Sequence, residues 1–312
     1  MSWAMEGARG LARLVRRRLP DLPMDWVTQF AHRALVANGA EAWTAQLGGH
    51  LVQRYAMPGT GTGPAVLLLH GLNATSGSMA PLIAGLRSGT PRIALLDLPS
   101  HGRSPTPPGP ALALADYGKV AQQAAEELHR ETGRKVLLVG NSLGGALAFF
   151  VAQERPELVA GVVGLNPAGA PVTESAVAGL PRLFHDVQHG AEQMAELLFA
   201  RVPLAYWLVG RDVARGWASP PVQKLLDDAR AGTLADQAGP LLRKVQAPTL
   251  ILWGAEDKLL PYVSAEELRA HLPQVRVEIL PGVGHVPQLE RPAWTSRRVR
   301  SFLDELAARG RT

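Results

Sequence analysis

The 312-residue chain contains no cysteine. That absence removes a disulfide framework, a thiolate-bound zinc or iron-sulfur centre and a cysteine nucleophile from consideration. A metal site would have to come from the nine histidines and the carboxylates. Long apolar runs are missing too, since no stretch approaches the ~18 uninterrupted residues that a membrane-spanning helix needs. The basic segment Arg9 to Arg18 is followed by Pro20-Asp21-Leu22-Pro23-Met24-Asp25, where a secretory signal would carry its apolar core. The expected compartment is a bacterial-type cytoplasm. The body of the chain also lacks an excess of either charge. The net +5 comes from the two ends, +3 in residues 1–40 and +4 in residues 291–312, which leaves −2 between them. A groove that tracks phosphates would put its basic stripe on the folded domain, so nucleic acid is not an expected partner.

What is present is 46% hydrophobic content, enough for one large core or for a catalytic domain with a smaller insertion. Residues 1–40 read as a basic, helical N-terminal extension. Within it, Leu11, Leu14, Val15 and Leu19 fall near one helical face, with Arg13, Arg16, Arg17 and Arg18 mostly around it. This pattern suits a helix docked on the core, or sequence lying upstream of a start at Met24. It also suits weak contact with an anionic membrane surface.

Beyond residue 40, short apolar runs alternate with helical periodicity, the pattern of a mostly parallel sheet with crossover helices. Trp43–Leu47 and Leu51–Ala56 read as an opening antiparallel pair around Gly48-Gly49. Buried-type strands follow at Ala65–Leu69, Ile93–Asp97, Lys135–Val139, Val159–Leu165, Thr249–Trp253 and Val275–Leu280. The core is expected to comprise residues 41–170 and 247–312. Residues 171–246 have helical periodicity and no convincing strand, and are expected to form an inserted helical cap.

The chemistry begins at Gly140-Asn141-Ser142-Leu143-Gly144-Gly145. A G-x-S-x-G string alone is a weak signal. Here an apolar strand runs straight into it and a helical segment, Leu143–Glu154, leaves it, closed by Pro156. That strand, elbow and helix lift a serine hydroxyl above the sheet at a helix N-terminus. A serine needs a base to take its proton and an acid to orient the base. Candidates past later strand ends are Asp257 or its neighbour Glu256, after Thr249–Trp253, and His285, after Val275–Leu280. The order is nucleophile, acid, histidine, each at the strand edge where open sheets bind ligands. The tetrahedral intermediate also requires two N–H donors. The Leu143 amide follows the nucleophile, and the Leu72 amide lies in the His70-Gly71-Leu72-Asn73 loop after the first buried-type strand. His70 and the loop Asp97 to Ser104 read as structural hydrogen-bonders.

These motifs resemble the α/β-hydrolase superfamily, from Trp43 to the C-terminus. The strings Asn166-Pro167-Ala168-Gly169 and Gly284-His285-Val286-Pro287-Gln288-Leu289-Glu290-Arg291-Pro292 are similar to bacterial esterases and lipases related to monoacylglycerol lipases. The resemblance aligns Asp257 with the family acid. It implies hydrolysis of carboxylic esters with apolar acyl chains and no cofactor. Asn73-Ala74-Thr75-Ser76-Gly77-Ser78 departs from the charged and aromatic pattern of those lipases. Carbon-carbon bond hydrolases of aromatic degradation share the Gly-Asn-Ser elbow but usually carry Trp where this chain has Val286. A non-catalytic ligand-binding protein of the same fold is a third reading, which the intact Ser, Asp and His set opposes. Met194, Leu198 and Trp207, on helical stretches of the cap, are expected to line a pocket for short to medium acyl chains.

Overall fold

The structure, a computed structural model, describes residues 24–171, 190–203, 206, 209–230 and 240–310. One eight-stranded sheet dominates it. Its strands are β1 (Glu41–Leu47), β2 (His50–Pro58), β3 (Ala65–Leu69), β4 (Arg92–Leu96), β5 (Val136–Asn141), β6 (Val159–Leu165), β7 (Thr249–Gly254) and β8 (Val275–Leu280). Their spatial order is β1-β2-β4-β3-β5-β6-β7-β8. The β1/β2 hairpin and the β2/β4 pair are antiparallel, and every other pairing is parallel.

The helices follow from the connections between these strands. They are α1 (Met24–Ala37), a 3-10 segment (Ser76–Leu82) running into α2 (Ile83–Leu86), α3 (Leu114–Thr132) and α4 (Leu143–Glu154). Then come α5 (Ala191–Leu198), α6 (Gly210–Trp217) and α7 (Pro220–Arg230) between β6 and β7, followed by α8 (Val263–His271), α9 (Pro287–Glu290) and α10 (Pro292–Arg309). Among the described residues no helix is long and apolar enough to cross a membrane.

A parallel strand covered on both faces reads as an unbroken apolar run, and every residue of β3, β5 and β7 is buried. Successive side chains then sort to opposite faces. Leu67, Leu69, Leu138 and Ile251 join Tyr117, Val120 and Ala124 of α3 and Leu147 and Val151 of α4. Val66, Leu68, Leu137, Val139, Leu250 and Leu252 join Met79, Leu82 and Leu86 and Val299, Phe302 and Leu303 of α10. Each such large side chain contributes about 1.5–3 kcal/mol on burial, which fixes the strand ends that carry the site.

α1 falls within residues 1–40, and the amphipathic stretch Gly7 to Leu19, on which the expectation of a basic N-terminal helix rests, lies outside the described residues. α1 packs on the 3-10 segment, buries Leu35, and brings His32 Nδ1 within 3.2 Å of the Tyr55 hydroxyl. Its outer side leaves Trp26 and Phe30 65% and 75% exposed. Across the β6–β7 interval, Met194, Leu197, Trp217, Val222 and Leu226 form an apolar cluster with Leu259 of the core, and Leu72 packs against it.

Candidate active site

β5 delivers Asn141 and Ser142 at its C-terminal end, and α4 begins at the next residue. Ser142 has φ 52° and ψ −117°, a strained conformation for a residue with a Cβ. The strain is held by two backbone bonds, Ser142 N to Leu165 O at 3.1 Å and Ala168 N to Ser142 O at 3.0 Å. The flanking glycines are a steric requirement. A Cβ at Gly140 would stand 2.1 Å from Gly144 O, and one at Gly144 would stand 2.2 Å from Leu69 O. The turn that raises the hydroxyl can close only where backbone meets backbone.

Asp257 and His285 are brought together by the ends of β7 and β8. His285 Nδ1 lies 2.8 Å from Asp257 Oδ2, and both side chains are almost wholly buried. The carboxylate collects three further donors. Leu259 N and Leu260 N each reach Oδ1 at 2.9 Å, and Asn166 Nδ2 reaches Oδ2 at 2.6 Å. A carboxylate offers about four acceptor sites, and here all four are used. Because the carboxylate can only accept, His285 Nδ1 must donate, which leaves Nε2 as the ring nitrogen that can take a proton. Glu256 is committed elsewhere, since its Oε2 accepts from Val283 N at 2.9 Å.

Asn141 connects the elbow to the histidine loop. Its Nδ2 donates to Leu165 O at 2.8 Å and to His285 O at 3.1 Å, which ties the end of β5 to β6 and to the loop after β8. On the other side, a Cβ on Gly71 would stand 3.2 Å from Ser142 Cβ, which places the Gly71-Leu72 turn beside the serine. Leu143, the first residue of α4, has an N–H that no intrahelical carbonyl can reach. The amides of Leu72 and Leu143 therefore lie on segments that flank Ser142.

The neighbouring histidines have structural partners. His70 is fully buried, its Nε2 accepting from Leu98 N at 2.9 Å and its Nδ1 lying 2.8 Å from Gly71 O. Burial pushes its pKa below the usual imidazole value. His101 Nδ1 lies 2.8 Å from Pro99 O, and burial, aided by nearby His70, pushes its pKa down to about 3. Asp97 ties the same region together. Its Oδ1 accepts from Ser76 N and Oγ at 2.7 Å, and its Oδ2 from Arg103 N at 2.9 Å.

A family model for the alpha/beta hydrolase fold matches residues 64–292. The chain belongs to this family. An uncharacterised protein of Mycobacterium tuberculosis is 30% identical over 269 residues, covering 78% of this chain and 76% of that protein. A 2-hydroxy-6-oxononadienedioate/2-hydroxy-6-oxononatrienedioate hydrolase of Comamonas testosteroni is 25% identical over 260 residues, 78% of this chain and 88% of that enzyme. Among solved structures, a bacterial membrane phospholipase A superimposes with a TM-score of 0.73 at 25% identity, over 97% of this chain and 96% of its own. The family and these relatives make the chain a hydrolase.

Of the expected pocket residues, Met194 is fully buried in the seam between α5 and the core, and Leu198 is part-buried at the end of α5. Trp207 lies outside the described residues. Leu198 and Val286, the residue after His285, pack against the same cluster of Ala195, Phe199 and Tyr206. Three polar residues beyond those singled out from the sequence also hold the site, namely Asn166, Asn141 and Glu290. Asn166 carried one local signal, a polar residue closing an apolar strand, and it takes φ 44°, a left-handed conformation that asparagine tolerates. Among the described residues no group of three His, Asp or Glu is placed to hold a metal ion.

Proposed function

We propose that this hydrolase cleaves carboxylic esters through an acyl-enzyme on Ser142. The observation that carries the reading is the buried His285–Asp257 pair, joined through Asn141 to the strand-to-helix elbow that holds Ser142 at positive φ. Ser142 Oγ attacks the acyl carbonyl carbon while its proton passes to His285 Nε2. The C–O bond to the alcohol breaks, and the leaving oxygen takes that proton. Water repeats the sequence on the acyl-enzyme, releasing the acid and regenerating Ser142. Asp257 holds the imidazole in the tautomer that leaves Nε2 free and stabilises the imidazolium as it forms. The Leu72 and Leu143 amides receive the oxyanion.

The described helices between β6 and β7 act as a cap over the strand ends, and the acyl chain lies against Leu198 at the end of α5, with Trp207 assigned the same role from the sequence alone. Apolar clusters of Met194, Leu197 and Trp217 and of Ala195, Phe199 and Tyr206 pack beside Leu198, which supports an apolar acyl side for the site. The solved phospholipase A, an ester hydrolase by its name, supports this reading. The Comamonas hydrolase supports the alternative of carbon-carbon bond cleavage with the same residues. Nitrophenyl esters from acetyl to palmitoyl, run beside a ring-cleavage dienoate, separate the two. Turnover of the short and medium esters with a slow dienoate is expected; a dienoate turned over faster than every ester would overturn the ester reading.

A further inference from the structure

In the loop that carries His285, three successive backbone N–H groups, those of Val283, Gly284 and His285, each donate to a partner that is not part of the sheet. Val283 N donates to Glu256, and His285 N donates to Leu198 O at 2.8 Å. Gly284 N donates to Glu290 Oε1 at 2.8 Å, and the Val286 N–H lies near enough to the same carboxylate to favour its charge. Glu290 simultaneously accepts from the segment that follows α5. Its Oε2 takes the Ala200 N–H at 2.8 Å, and the Arg201 N–H also lies near enough to favour its charge. One carboxylate thus binds two loops from opposite sides. The contact between them is tight, because a Cβ on Gly284 would stand 2.8 Å from both Ala200 N and Leu198 O.

Only an ionised carboxylate supplies about four acceptor sites on two oxygens; a glutamine side chain offers one oxygen and turns an NH2 toward donors. Burial works against the charge here, raising the Glu290 pKa above the usual carboxylate value, while the four N–H groups pull it back. A neutral residue would avoid that burial cost, so overall stability does not explain the choice of glutamate. Position does.

We propose that Glu290 is the positioning residue of the site: it locks Gly284–Val286 to Leu198–Arg201, so that one group sets both the height of His285 and the placement of Leu198. The proposal rests on His285 being the base. It follows that any movement of the cap that admits substrate leaves Leu198–Arg201 in place and occurs in the helices beyond it.

The test uses Glu290→Gln and Glu290→Asp in the full chain. In the Gln variant, amide hydrogen exchange is expected to rise together in residues 198–201 and 284–286, with β5 and β6 unchanged. Its kcat on acetyl and butyryl nitrophenyl esters falls about tenfold or more, the loss expected when hydrogen bonds to a charged group are removed, while KM for the acetyl ester stays near its original value. The Asp variant keeps the charge but is one methylene shorter. It releases Ala200 and Arg201 more than the histidine loop and loses less kcat. Should the Gln variant fail to fold, the Asp variant decides by the same readings. Wild-type kcat in a folded variant, or faster exchange in the 284–286 loop alone, would overturn the lock. The exchange readings need no substrate, so a wild-type protein inactive on esters would count against the proposed reaction and leave the lock to be judged on exchange.

Discussion

Asn166 Nδ2 and His285 Nδ1 converge on a single oxygen, Asp257 Oδ2, at 2.6 Å and 2.8 Å. Asn166 also accepts the Gly254 N–H on its Oδ1 at 3.2 Å, so it ties the acid to the end of β7 from which that acid is launched. The orientation of Asp257 therefore depends on a residue at the end of β6. Asn166→Ala is expected to lower kcat roughly 10- to 100-fold with KM nearly unchanged, the range for losing a hydrogen bond to a charged group. Asn166→Asp should be worse, because it sets a second negative charge against Asp257. In the same series Asp257→Asn should cost far more than Glu256→Gln. Steady-state kinetics on a butyryl ester check all four, and a Glu256→Gln variant more impaired than Asp257→Asn would reassign the acid.

The sheet was legible because its central strands are buried on both faces. Ala65–Leu69 and Val159–Leu165 fall where their apolar runs predict, as does the hairpin turning at Gly48-Gly49; Val275–Leu280 has the expected bounds but is an edge strand with only Leu280 buried, not the buried type expected. The elbow was legible because a Cβ on Gly140 or Gly144 would meet backbone within 2.2 Å, so only glycine fits there. Asn166 and Glu290 were not legible as supports, because what they do is defined by partners brought in from distant strands and loops. Asn166 meets Asp257 across 91 positions, and Glu290 meets Ala200 across 90. A side chain that satisfies remote backbone N–H groups leaves no periodicity in the sequence. The 3-10 segment Ser76–Leu82 escaped for a related reason. Its start is pinned by Asp97, 21 residues on, rather than by a cap of its own.

Stability should fall on mild acidification for an identifiable reason. His101 and His70 are buried with folded pKa values below the usual 6.5, His101 at about 3. The unfolded chain takes up protons at these positions near pH 6.5, whereas the folded chain does not. Their contribution to stability is thus complete above about pH 6.5 and is lost progressively as the pH falls toward the folded values. His101→Asn, which keeps a donor for Pro99 O and cannot be protonated, should show a smaller loss between about pH 7 and pH 5. Urea midpoints at the two pH values measure it, and equal losses in the variant and the parent would remove His101 from the account.

The acyl pocket gives a prediction of its own. Each methylene buried against the cap is worth about 0.8 kcal/mol, so specificity should climb over a few carbons and drop where the pocket ends. Leu198→Ala and Trp207→Ala should each move that optimum, while the rate of Ser142 modification by a small phosphonate stays the same. An acyl-chain profile unchanged in both variants, or triolein hydrolysed faster than a butyryl ester, would contradict the pocket.

The exposed rings of Trp26 and Phe30 bear on the N-terminal extension. They stand one turn apart on the outer side of α1, and in the sequence the chain ahead of α1 holds five arginines between Arg9 and Arg18. Aromatic rings and cations together suit an anionic lipid surface. Vesicles containing phosphatidylglycerol are expected to retain the parent protein and release the Trp26→Ala/Phe30→Ala variant, with activity on soluble esters equal in the two. Equal vesicle retention would remove these rings from any membrane contact.

The central claim, an acyl-enzyme on Ser142, is tested most directly by rapid mixing with nitrophenyl butyrate, followed by acid quench and peptide mass analysis. The account predicts a burst approaching one nitrophenol per chain and a butyryl adduct on the peptide that contains Ser142. Ser142→Ala should give neither burst nor adduct and should lose at least about a thousandfold in kcat. A burst that survives in Ser142→Ala, or an adduct on any other residue, would contradict it.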